Sequence, residues 1–258
     1  VRRPDLTSGR RRRPTGLLAV VLAAALTVAL TACTGPRSDG SAGAGTATAS
    51  TSAPDPAALL TTARATLDAT PSLGFVLQSK DVPAAGTALV GGTGDLERPD
   101  GFQGTLDVRI GENLTQVEVV SVGGQFYAKL PFTTDFSPID PKSLGFTDPG
   151  TFMDPDTGIS QLLSQAKDPV LGDETRIVGE VAREVRATLP GALVADLLIS
   201  ADPTADVEAT FAVTTDGDEL RRAVLVGPFF EKGTMSTYTI VLRDYGKSVS
   251  ISAPTPAS

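Results

Sequence analysis

The sequence predicts an α+β fold: one mostly antiparallel, strongly twisted sheet whose apolar side is covered by a few helices. Three observations predict it. A capped amphipathic helix begins at Asp55, apolar residues then recur with period two in many short segments parted by turn residues, and only two short stretches return to helical spacing.

In order along the chain, Asp55 is the N-cap and Pro56 the first helical residue. Leu59, Leu60, Ala63 and Leu67 fall on one face, and Pro71 ends the helix. Strands are expected over 73–79, 88–96, 102–110, 114–122 and 125–130, with Gly123-Gly124 as a tight hairpin turn. The Pro- and Asp-rich stretch 131–158 reads as a long irregular connection leading into a short helix over 159–166 that bears Ile159, Leu162 and Leu163. Strands resume over 175–178, 184–189, 207–214, 220–226 and 234–243, interrupted by a helix around 192–198 and turned at Asp216-Gly217. Within 102–110, Leu106, Val108 and Ile110 alternate with Thr105, Asp107 and Arg109, so one side is apolar and the other wet. Val207, Ala209, Phe211 and Val213 repeat the pattern, as do Tyr238, Ile240 and Leu242. Every half-buried sheet alternates in this way, so periodicity alone leaves plain core and ligand cavity both open.

The N-terminal region has a different character. Arg2, Arg3 and Arg10 to Arg13 precede the apolar segment Leu17 to Leu30, and Leu30-Thr31-Ala32-Cys33 closes it with small residues before the only cysteine. That is the charged, apolar, small order of a secretory signal, with a thiol placed to take a diacylglyceryl group after a small residue. The apolar segment is too short for an ordinary membrane span. The expected division is therefore a lipoprotein signal peptide over 1–32, an acylated N-terminus and flexible Gly/Ser/Thr/Ala/Pro tether over 33–54, one domain over 55–252 and a disordered tail over 253–258. Lipidation at Cys33 places the domain on the outer face of the cell membrane. The tether, some 21 residues, spans about 25 Å root-mean-square.

Composition excludes several function classes. Cleavage before Cys33 leaves 16 basic and 29 acidic residues, a net charge of about −13. An acidic body does not suit nucleic acid, which needs clustered Lys and Arg to release counterions. No disulfide forms within a chain that holds one cysteine. Histidine is absent, which removes Ser-His-Asp and Cys-His catalysis together with the commonest zinc ligand. No Gly-x-Ser-x-Gly elbow exists, and Asp154-Pro155-Asp156-Thr157-Gly158 fails as a calcium loop because Gln165 stands where a bidentate glutamate is needed. Gly246-Lys247-Ser248 lacks the first glycine of a phosphate loop, whose place Val241 takes. No catalytic residue, metal or cofactor is expected.

VVSVGGQFYAKL at 119–130 and DPDTGISQLLSQAKDPVLGDETRIVGEVAREVRA at 154–187 carry a resemblance to a known family. Together with the Cys33 motif and the low-complexity tether, they are similar to the LppX/LprA/LprF/LprG family of mycobacterial cell-envelope lipoproteins. The resemblance covers nearly all of the chain after Cys33, apart from 131–152, where it is loose. It implies a highly curved half-barrel with helices over its concave face, enclosing a cavity for the acyl chains of envelope glycolipids or phospholipid-derived lipids. On the family pattern Leu106 lines that cavity with Val108 and Ile110 as inward companions, Leu162 and Leu163 are lid residues, and Phe126 and Phe211 are wall residues. The implied partners are acylated lipids, the plasma membrane through the anchor, and a membrane lipid transporter. The implied function is a non-enzymatic carrier. The alternative is a lipoprotein of the same fold that binds a protein, as a transporter accessory or assembly factor, with a filled core.

Overall fold

The computed structural model describes residues 53–255, and the expected signal peptide, Cys33 and most of the expected tether lie outside them. Helix α1 (Pro56–Ala69) starts where its sequence signals place it: the Asp55 carboxylate accepts the Ala57 amide at 3.0 Å, and Leu60, Ala63 and Leu67 are buried. Strands β1 (Ser72–Lys80), β2 (Thr87–Glu97), β3 (Gly101–Ile110), β4 (Asn113–Val122), β5 (Gln125–Lys129) and the two-residue β6 (Ser137–Pro138) follow as an antiparallel meander. Two short 3₁₀ helices, Pro141–Leu144 and Pro149–Met153, then lead to α2 (Ser160–Ser164). A second meander comprises β7 (Lys167–Ile177), β8 (Glu180–Leu189), β9 (Val207–Thr214), β10 (Leu220–Gly227) and β11 (Ser236–Arg243), with α3 (Gly191–Leu197) between β8 and β9.

The two meanders join through β1 and β11 into one eleven-stranded sheet of order β6-β5-β4-β3-β2-β1-β11-β10-β9-β8-β7. The sheet is curved but not closed, and β6 and β7 are its edges. Register shifts between Leu89 and Gly91, between Leu220 and Arg222 and twice within β7 interrupt the ladders, and such bulges strengthen the local twist. One rim collects the connections after β1, β3, β5, β8 and β10 and is called the loop rim below. The opposite rim, the turn rim, carries those after β2, β4, β7 and β9. Gly123 and Gly124, at φ 62° and 70°, make the two-residue hairpin that the sequence predicts.

Several expected bounds change, and β8, for one, begins at Glu180, four residues before the expected start at Glu184. Strand β7 begins at Lys167, eight residues before the expected start at Thr175, and Val178 belongs to the following turn with φ 53°. Its first part hides from pattern reading because an edge strand tolerates Pro169 and Gly172 and leaves most of its residues exposed. Helix α2 is shorter than the expected 159–166. The last residues also divide. Ile251 is buried and its amide donates to the Glu97 carboxylate at 2.8 Å, Ser252 to Thr255 line a groove on the sheet beside Thr93, Gln103 and Glu118, and 256–258 lie outside the described residues. No helix among the described residues is long and apolar enough to cross a membrane.

Candidate functional site

The covered face of the sheet is built from one side chain per strand at matching register. Starting on β4, the row reads Val117, Leu106, Gly92, Leu77, Ile240, Ala223, Phe211, Val185 and Leu171, each paired directly with the next. Period-two alternation puts apolar residues on this side of every strand, and pairing between meanders lines them into a continuous strip. The other side is mostly polar: Arg221–Glu180 and Arg222–Glu184 ion pairs at 2.5 and 2.8 Å run across it, beside a small buried cluster of Ile177, Ala182 and Ala212. The Arg183–Glu174 pair at 2.7 Å shares the side of Val185 and Val213, toward the turn rim.

Glycines thin the strip beneath the bulkiest neighbours. A Cβ on Gly92 would lie 2.7 Å from Leu106 Cδ2, and one on Gly94 would lie 2.8 Å from the Phe102 ring and 2.5 Å from the Gln103 carbonyl oxygen. Their bare backbone lets the Leu106 and Phe102 side chains lean across β2. Phe102 in turn meets Phe75 edge-on at 6.3 Å, and Phe75 packs on Phe152 at 5.7 Å.

Over the middle of the strip lies a small void of about 30 Å³. The sheet contributes Phe75, Leu77, Leu89, Leu225, Tyr238 and Ile240 to its walls, and the cover contributes Phe152, Ile159, Val194, Leu197 and Leu198. Its exposed inner surface is wholly apolar. A void of this size exceeds the ~10–15 Å³ a single water requires and falls well short of the ~150 Å³ that admits benzene. Hydrocarbon enters only if the cover lifts. The cover is suited to that: α2 and α3 are five and seven residues long, too short to be stable alone, and their buried faces hold them in place.

Tyr238 is the polar atom source nearest the void. Its hydroxyl donates to the Leu89 carbonyl, while Ser79 Oγ donates to the Val90 carbonyl at 2.5 Å, so the bulge in β2 leaves neither oxygen unpartnered. Tyr245 donates to the Leu220 carbonyl at 2.7 Å. Burial pushes both phenols well above the ordinary tyrosine value. A raised folded-state value means that this contribution to stability is complete below the unfolded pKa of about 10 and declines as pH rises beyond it. Thermal melts should therefore show midpoints that fall steeply above about pH 10, with a shallower fall in Tyr238→Phe. An identical slope in that variant would refute the assignment.

The sequence-derived residues can now be placed. Leu106, Val108, Phe126, Leu162, Leu163 and Phe211 are all buried in one apolar core. Leu106 and Phe211 lie on the central row, and Val108 pairs with the void-lining Leu89. Phe126 meets Phe146 at 5.8 Å, toward the β6 edge. Leu162 and Leu163 sit in the cover, on the helix that follows Ile159 and packs against α1. None of the six borders the void. Ile110 is a correction: it ends β3 at the Gly111 turn, beyond the cover, and is 45% exposed, so it walls nothing. Cys33 lies outside the described residues.

The void-lining residues that sequence reasoning missed carry the same alternation as those it named. Tyr238 and Ile240 were visible as inward positions, but nothing local to Val194 or Phe152 announces that they meet those strands. Asp154 accepts the Asp156 and Thr157 amides at 2.8 and 2.9 Å, bonds that hold its carboxyl below the usual range and fix a turn into α2. Lys247 is paired with Asp95 at 2.5 Å.

The family model of the LppX_LprAFG lipoproteins matches residues 55–251. The chain belongs to that family. The crystal structure of LprF from Mycobacterium bovis matches with a TM-score of 0.65 at 18% identity, over 79% of this chain and 99% of that one. The structure of lipoprotein LppX from Mycobacterium tuberculosis matches with a TM-score of 0.57 at 16% identity, over 76% and 97%. At these identities the likeness establishes the fold, the curved half-barrel of LppX_LprAFG proteins. No functionally curated protein matches the chain by sequence.

Proposed function

We propose that this LppX_LprAFG lipoprotein is a non-enzymatic carrier, anchored through Cys33, that holds the acyl chains of envelope glycolipids or other di- and triacylated lipids as they cross the cell envelope. The observation that carries the reading is the uninterrupted apolar strip beneath short, displaceable helices, with an apolar void at its centre. Lifting α3 and the 3₁₀ segment at Phe152 uncovers Phe75, Leu77, Leu225 and Ile240 together. A chain of some sixteen carbons laid on that surface gains about 12 kcal/mol gross, at ~0.8 kcal/mol per methylene. Most of that is offset by the lipid's cohesion in its own bilayer and by the cover contacts it replaces, so loading and release stay near balance. Recognition by tail shape needs no histidine and no catalytic carboxylate. The outer face of the cell membrane is the proposed location and a membrane lipid transporter a proposed partner.

The small volume of the void favours a second reading, the same fold serving as a protein-binding transporter accessory or assembly factor with a filled core. Mass spectrometry of the organic extract of the purified full chain separates them, counting only lipid in excess of the acyl groups on Cys33. Stoichiometric acylated lipid is the expected result. Protein that is free of such lipid, and takes none up from vesicles, overturns the carrier reading.

A further inference from the structure

Large apolar side chains that stand in solvent are unevenly placed among the described residues. Ile110, Leu114, Leu130, Phe132, Ile199 and Met235 are all exposed, and each sits in or beside a connection at the loop rim. The turn rim carries Val178, and Val170 lies along the edge strand β7. Phe132 is fully exposed at φ 69°, a left-handed backbone that a bulky residue seldom adopts. Thr133 holds it there, its amide donating to the Leu130 carbonyl at 3.1 Å and its hydroxyl to the same oxygen at 2.7 Å. A braced turn thus presents a benzyl group outward, where burial within the fold has no part in keeping it.

We infer that the loop rim docks on a lipid bilayer, with Phe132 and its neighbours entering the hydrocarbon boundary. The six side chains come from four separate connections, Ile110 and Leu114 flanking one hairpin and Leu130 and Phe132 lying on the next connection, a scatter that suits insertion into a fluid surface better than capture of one peptide. The rim also carries Lys80, Lys167 and Lys232 together with Asp81, Glu112, Asp135 and Glu231, charges of both signs with an acidic excess, so its attraction is apolar and not directed at anionic headgroups. A bilayer is within reach on the anchor reading, because only 21 residues separate Cys33 from Asp55. The same rim holds Phe229 and Phe230, which pack on the void-lining Tyr238 at 5.3 and 6.0 Å. A chain leaving the bilayer at this rim meets those rings first and the void next. The purpose of docking rests on the carrier reading; the placement of the exposed residues does not.

The chain has no tryptophan, so Phe132→Trp supplies a single emitter in a position where the side chain touches no core. The full chain carrying it is reconstituted into phosphatidylcholine vesicles with brominated acyl chains, beside Val178→Trp at the turn rim. The expected result is blue-shifted emission quenched by bromine for Phe132→Trp, and water-exposed, unquenched emission for Val178→Trp. Equal behaviour of the two variants overturns the inference, because the upstream segment is common to both. A blue shift without quenching marks contact with protein and also overturns it. Lipid-free extracts alongside selective quenching of Phe132→Trp sink the carrier reading and leave docking standing; lipid-loaded protein without quenching does the reverse.

Discussion

Gly94→Val should destabilise the domain by about 3 kcal/mol or more, read as a lower denaturant midpoint at unchanged slope. The reason is the lack of anything that can give way. The new Cβ would stand 2.5 Å from the Gln103 carbonyl oxygen, which belongs to the paired strand, and 2.8 Å from two atoms of the Phe102 ring. A flexible side-chain end moves cheaply; a ladder carbonyl does not. Phe102 cannot rotate away without losing its edge contact with Phe75, and Phe75 is a wall of the central void and a neighbour of Phe152 in the cover. The disturbance therefore travels from β2 to the site. Against a total stability of about 5–15 kcal/mol for a domain of this kind, such a loss is a large fraction. A change below about 1 kcal/mol would show that β2 and β3 part more easily than their pairing implies, and the rigid-sheet view of the strip would fail with it.

Much of this architecture was legible before any coordinates, for identifiable reasons. Asp55-Pro56 announces α1 because an N-cap acceptor and a residue needing no amide partner are both local requirements. Leu106, Val108, Phe211 and Tyr238 announce their inward side because alternation is a property of one strand. Register between meanders is not. Leu77 pairs with Ile240 across most of the chain, and only that pairing turns separate alternations into one strip. Likewise, Val194 reads as an ordinary helical apolar residue until α3 folds over β10 and β11. The family pattern drew attention to Leu106, which is buried beside the site, yet alternation overran at Ile110 because a strand's last residue keeps its side while losing its cover. The N-terminal half of β7 was invisible since an edge strand needs neither apolar alternation nor freedom from proline.

Val194→Phe tests the site where the cover and the sheet meet. Val194 is fully buried on α3 and borders the void, so the larger ring occupies the space and presses on Leu225 or Ile240. Filling a void gains contact and overfilling it costs about 1–3 kcal/mol, so the net change in stability should be at most ~2 kcal/mol and the protein should stay folded. The effect on cargo should be far larger. With the pocket obstructed, lipid recovered per protein by mass spectrometry should fall about tenfold, which corresponds to ~1.4 kcal/mol of lost affinity at subsaturating lipid. Val178→Ser provides the control: exposed at the turn rim, away from both the void and the loop rim, it should change stability by less than about 0.5 kcal/mol and leave lipid content alone. The comparison separates obstruction from general damage, since a merely loosened fold would lose lipid in proportion to its stability. Val194→Phe retaining its full lipid complement would mean that acyl chains, if held at all, lie elsewhere on the strip, away from α3.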